Sequence, residues 1–265
     1  MTNIAANCSL LFREYPLLER PKAARDAGFD AIELWWPFPT ATATPDDVEA
    51  LGTAIENAGL PLVGLNFFAG NMADGDRGLV SWTGREGEFR DNVDVVVTLA
   101  ERLGTRAFNA LYGNSLEGVD PGAQRATALA NLEYAANAVA PFGGVVLLEP
   151  VSGAPRYPLL TAADVVSVIE QFEAESSLRN LALLADVYHL TVNGDDTLAA
   201  LNAYRDRIGH VQFADVPGRH EPGTGALDLS GIRRTLTDIG YTSWLAAEYV
   251  PMGATAEGLD WLRSW

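Results

Sequence analysis

Four residues in the second half of the chain end apolar runs with a group able to hold a cation or move a proton. Val145-Val146-Leu147-Leu148 runs into Glu149, Leu181-Ala182-Leu183-Leu184-Ala185 into Asp186, His210-Val211 into Gln212, and Trp244-Leu245-Ala246-Ala247 into Glu248. Successive members are separated by about one β/α unit of sequence. Three carboxylates and an amide gathered at one mouth repel one another as solvent is excluded, and a divalent cation removes that cost. All-oxygen donors with no obligatory histidine or cysteine favour a hard ion, Mg²⁺ or Mn²⁺, over zinc. A cation beside a carboxylate pair serves proton transfer in an isomerase, an epimerase or a lyase, and the spacing does not separate these.

Further groups are expected at the same mouth. His189 follows Asp186 by three residues, within reach as a hydrogen-bonding group. The segment Asp215 to Gly225 holds Arg219 among three glycines, and its guanidinium can clamp a carboxylate bidentately. Asn66 ends the run Leu62 to Asn66, and Glu33 lies near the end of Asp30 to Trp35. Trp35, Trp36, Phe67 and Phe68 stand beside them and could form an apolar wall that keeps water from the reacting atoms.

Residues so far apart in sequence meet only if the elements carrying them alternate regularly. Short β-rich runs alternate with amphipathic stretches from Asn3 onward, and glycine or a polar cluster stops each helix, as Gly28 and Gly59 do. Thr44-Pro45-Asp46-Asp47 supplies an N-cap, a first-turn proline and first-turn acids. Eight strand-and-helix units without a Gly/Ser linker predict a single (β/α)8 TIM barrel over residues 1–265, whose active site forms at the C-terminal strand ends. A doubly wound sheet would carry a glycine-rich turn after its first strand, and Ser9-Leu10-Leu11-Phe12-Arg13 is not one.

Composition narrows the partners. A formal net charge of −17 repels phosphate backbones and anionic membranes, so no nucleic acid and no membrane partner is expected. A lone cysteine, Cys8, fits a reducing compartment. Neither a basic leader before an apolar run nor an apolar stretch of about 18 residues is visible, and a cytoplasmic location is expected.

The chain resembles the hydroxypyruvate isomerase family of the xylose isomerase-like barrels. The resemblance rests on Glu149-Pro150, Asp186-Val187-Tyr188-His189, His210-Val211-Gln212 and Gly218-Arg219-His220-Glu221-Pro222-Gly223-Thr224-Gly225. Weaker matches run through Ala5 to Phe12, Ala27 to Glu33, Gly84-Arg85-Glu86 and Gly113-Asn114. It implies one divalent cation on Glu149, Asp186, Gln212 and Glu248, with Glu149 and Glu248 as the catalytic acid and base. It further implies a small hydroxy-keto acid as substrate, hydroxypyruvate or a 2-oxo-tetronate, isomerised through an enediolate. His189, Arg219 and Asn66 are the candidate substrate contacts, and a homodimer or homotetramer is expected. The stretch Pro150 to Leu159 departs from relatives, which carry an Asn and an Arg-Asp pair before a Pro-Gly-aromatic segment. A ketose 3-epimerase and a catalytically silent sugar-acid binding protein are the alternatives on the same barrel. DNA-repair endonucleases of this superfamily need many histidines, and this chain has three.

Overall fold

Eight short aliphatic runs, each too brief for a helix and bounded by turn residues, extend as strands. They are β1 (Ile4–Asn7), β2 (Ala31–Leu34), β3 (Leu62–Asn66), β4 (Ala107–Asn109), β5 (Val145–Leu148), β6 (Leu181–Asp186), β7 (Ile208–Phe213) and β8 (Leu245–Ala247). All pair in parallel in sequence order, and β8 returns to β1, with Ile4 opposite Leu245, to close a barrel. The structure is a computed structural model and describes residues 3–264.

Outside the strands lie α1 (Arg20–Asp26), α2 (Pro45–Ala58), α3 (Glu86–Leu103), α4 (Pro121–Val139), α5 (Ala162–Glu175), α6 (Val187–Val192), α7 (Thr197–Ala203) and α8 (Leu229–Asp238). The Thr44 hydroxyl accepts from the Asp47 N–H at the start of α2, and Gly59 stops that helix in the left-handed region at φ 72°. Thr161 and Asp164 close a capping box on α5.

The architecture is the expected (β/α)8 barrel, with three local departures. The stretch from Tyr15 opens as a 3-10 turn, Leu17–Glu19, and α1 begins only at Arg20, with Pro21 in its first turn, where a missing N–H costs nothing. Two short helices, α6 and α7, follow β6 where one was expected, because Asp186 caps a new helix directly at its strand end. After β8 the described residues form 3-10 turns, Thr255–Gly258 and Asp260–Ser264, rather than the α-helix that would complete the last strand-and-helix unit. Pro251, Gly253 and Gly258 interrupt the polypeptide there.

Apolar side chains fill the layer between barrel and helices, where Phe67 stacks on Phe108 at 5.7 Å and meets Phe89 edge-on. Phe67 is therefore a packing residue. Inside the barrel, Ala5, Ala31 and Ala246 form a floor of small side chains. Above it β3 carries Gly64, where a Cβ would stand 3.1 Å from the Glu33 carboxylate. Side chains alternate along a strand, so Asn66, two residues on, faces the same interior.

Candidate active site

Every strand contributes one polar residue to the mouth of the barrel. In strand order they are Asn7, Glu33, Asn66, Asn109, Glu149, Asp186, Gln212 and Glu248, none more than 8% exposed. The strand register pairs three sets of neighbours directly, Asn7 opposite Glu33, Asn66 opposite Asn109, and Asp186 opposite Gln212. It steps between the others, where Glu33 lies opposite Gly64, Asn109 opposite Leu147 and Gln212 opposite Ala246. All four expected cation ligands belong to this ring, as do Glu33 and Asn66. Asn7 and Asn109 were not anticipated.

Backbone and side-chain amides occupy one oxygen of each of three carboxylates. Asp186 Oδ1 accepts from the N–H groups of Tyr188 (2.8 Å) and His189 (3.3 Å) at the start of α6. Glu149 Oε1 accepts from Asn109 Nδ2 at 3.0 Å. Glu248 Oε2 accepts from Asn7 Nδ2 at 2.9 Å and from Gln212 Nε2. Gln212 Nε2 also donates to Glu33 at 2.7 Å, which leaves Gln212 Oε1 buried without a partner.

Within the ring, Glu33 anchors this network. Its carboxylate accepts from Asn7 Nδ2 at 2.8 Å and lies 2.8 Å from His210 Nε2. Burial pushes Glu33 up, but the hydrogen bonds from His210, Asn7 and Gln212 outweigh it and hold the carboxyl below its ordinary range.

Arg219 turns inward. Its Nη2 lies 2.5 Å from Glu248 Oε1 and 3.3 Å from Asp186 Oδ2, so one guanidinium spans two of the carboxylates. The loop holding it wraps around Asp215, whose carboxylate accepts from the N–H groups of Val216, Gly223, Gly225 and Leu227. Arg219 itself is left-handed at φ 58°, a geometry that directs its side chain into the ring.

His189 sits 3.6 Å from Asp186 Oδ2 through Nε2. On its other side the Ser152 backbone N–H lies 3.0 Å from Nδ1. A backbone amide can only donate, so Nδ1 is the acceptor and the neutral ring carries its proton on Nε2, facing the site. Burial lowers His189 to about 4, which keeps the ring neutral. Ser152 belongs to the segment that departs from relatives, and its hydroxyl adds a second contact at 2.7 Å.

The ring fits a hard divalent cation. Asp186, Glu149 and Glu248 each keep one oxygen clear of the ring's own amide donors, and Gln212 Oε1 is an orphaned acceptor. Burial raises Glu248 well above its ordinary value, and burial followed by repulsion from Asp186 raises Glu149 to about 8, the behaviour of carboxylates short of positive charge. In this arrangement Arg219 supplies that charge to Glu248 and Asp186. Among the described residues, no three histidine, cysteine or acidic side chains are drawn together tightly enough to ligate one ion.

The raised carboxyls set a pH dependence. A group whose folded pKa lies above its unfolded value stabilises the fold below the unfolded value and loses that contribution as pH rises through the folded one. The chelator-treated protein should therefore melt at a lower temperature at pH about 9 than at pH about 6, since Glu149 titrates between. A melting temperature that rises over this interval in a thermal scan contradicts the assignment.

A family model described as a xylose isomerase-like TIM barrel matches residues 21–265. A putative hydroxypyruvate isomerase of Streptomyces coelicolor is 46% identical over 97% of this chain and 94% of its own length. A 2-oxo-tetronate isomerase of Cupriavidus necator is 33% identical over 100% of this chain and 99% of its own. A crystal structure from Brucella melitensis described as a family 2 AP endonuclease superposes with a TM-score of 0.90 at 34% identity, covering 100% of this chain and 99% of that one.

Proposed function

The chain belongs to the hydroxypyruvate isomerase family of xylose isomerase-like TIM barrels and is by that membership an isomerase, and we propose that it acts on a small hydroxy-keto acid with a divalent cation. In hydroxypyruvate the reaction moves a proton from C3 to C2 and gives tartronate semialdehyde; in a 2-oxo-tetronate the carbonyl moves one carbon along in the same way. The observation that carries this reading is the pair Glu149 and Glu248, buried at the barrel mouth on opposite flanks of Asp186 and Gln212 in strand order. A carboxylate held in place beside the substrate C–H takes and returns a proton.

One of the two removes the proton, and it or the other returns it to the neighbouring carbon. Asn109 fixes Glu149, while Asn7 and Gln212 fix Glu248, so each base presents a defined oxygen. His189 donates from Nε2 to the oxygen that gains negative charge in the enediolate. Arg219 is the cation for the substrate carboxylate. Glu149, Asp186, Gln212 and Glu248 would hold Mg²⁺ or Mn²⁺, which when bound would supply Lewis-acid charge to acidify the reacting C–H.

Two bases with fixed and free oxygens exceed what a silent binding protein requires. A trinuclear zinc site is not supported, since His210 is committed to Glu33 and His220 to the Val250 carbonyl.

The test is NMR of the protein stripped with chelator, reloaded with Mg²⁺ or Mn²⁺, and given hydroxypyruvate, a 2-oxo-tetronate or free ketoses in D₂O. Isomerisation of an acid with deuterium entering the adjacent carbon, lost on chelation, is the expected result. Epimerisation of free ketoses alone makes the chain an epimerase, and inertness toward all of them makes it a binder.

A further inference from the structure

Between the loops that follow β2 and β3 lies a cavity of about 390 Å³ that proton transfer at the two glutamates leaves unused. Its walls are the side chains of Trp35, Trp36, Phe38 and Phe68, with Arg85 at its edge and Asn66 among its lining residues. The polar edge of Trp36 is already satisfied, since its indole N–H donates to the Thr40 carbonyl at 2.7 Å, so what the wall offers is ring surface. Arg85 is set in place by two bonds to Glu88, at 2.6 and 2.9 Å, and one to Asp76 at 3.1 Å.

Asn66 contributes a side-chain amide to the lining. It is 8% exposed, and its side-chain amide makes no hydrogen bond among the described residues. An amide with no protein partner beside a cavity is free to bond a ligand's polar group in place of water. Its position links that cavity to the reacting centre: it lies opposite Asn109 in the strand register, and Asn109 holds Glu149.

Aromatic faces, an open amide and a charged pair at the edge suit a chain of hydroxylated carbons, with C–H groups against the rings and hydroxyls on the amide. We infer that this cavity is the subsite for the part of the substrate beyond the two reacting carbons, so that the preferred substrate is a hydroxy-keto acid of four or more carbons. Hydroxypyruvate has nothing to place there, because its carboxylate and two reacting carbons complete the molecule. A 2-oxo-tetronate places its terminal hydroxymethyl group. This rests on the isomerase reading above and narrows its substrate class.

The experiment compares kcat/KM for a 2-oxo-tetronate and for hydroxypyruvate in the metal-loaded wild type, in Asn66→Leu and in Thr40→Trp, which fills the cavity from an exposed rim position. The wild type should favour the four-carbon acid by at least about tenfold, and each variant should cut that ratio toward one, chiefly through KM for the longer substrate. A ratio near one in the wild type, or variants that lower both substrates equally, overturns the subsite. If neither acid turns over, the functional reading fails and the subsite is decided by calorimetric binding of D-threonate against glycerate. Tighter threonate binding that Asn66→Leu abolishes supports it, and equal binding overturns it.

Discussion

Glu248→Gln lowers kcat by about 10²- to 10⁴-fold, the range expected when a positioned general base is removed. The fold should survive. Asn7 and Gln212 both donate to Glu248 Oε2, so the new amide turns its oxygen toward them and keeps those bonds. Its NH₂ then occupies the place of Oε1, where Arg219 now bonds, and neither accepts a proton nor suits a neighbouring cation. Exchange of the substrate C–H with D₂O, followed by NMR, should fall in parallel with kcat. Full turnover in this variant removes Glu248 from the proton-transfer step.

The second large effect is on stability and lies one layer deeper. His210→Leu leaves the buried Glu33 carboxylate without its 2.8 Å donor and should cost about 2–5 kcal/mol, the range for stripping a partner from a buried charged group. Nothing can move in to compensate cheaply, since Gly64 already packs against Glu33 and the alanine floor lies below. A urea midpoint that falls at unchanged m-value reads the loss directly. Because the folded pKa of Glu33 lies below its unfolded value, its contribution is present above the ordinary glutamate range and is lost as pH falls through the folded value. The cost of the substitution should therefore shrink in acid. A change below about 1 kcal/mol would mean that Asn7 and Gln212 suffice for Glu33.

The ring shows which parts of a site can be read from a sequence. Glu149, Asp186 and Glu248 follow uninterrupted apolar runs, and that abrupt change of polarity exposes them. Asn7 and Asn109 sit among apolar neighbours on both sides, in Ala5-Ala6-Asn7-Cys8 and Phe108-Asn109-Ala110, so no such change marks them. Only the closed register shows that they complete the circle. His210 begins a run rather than ending one, and its meeting with Glu33 spans the barrel from β7 to β2. Arg219 was visible as a cation in a glycine-rich loop. Its inward course depends on a left-handed backbone and on four N–H groups converging on Asp215, which local composition does not disclose. The helix after β6 was hidden because Asp186 serves at once as strand end, cap and ring member.

The commitment of one oxygen of each carboxylate to backbone or side-chain amides has a consequence for ion choice. Calcium prefers six to eight oxygens and often grips a carboxylate by both. Here a two-oxygen grip would cost Asp186 its cap on α6, Glu149 its bond from Asn109, or Glu248 its bonds from Asn7 and Gln212. The oxygens clear of those donors are one each on Glu149, Asp186, Glu248 and Gln212, and Arg219 now holds those of Asp186 and Glu248, so a cation would take the place of the guanidinium there. With the proposed cation, such a set would suit the small, six-coordinate ions and disfavour calcium by denticity rather than by charge.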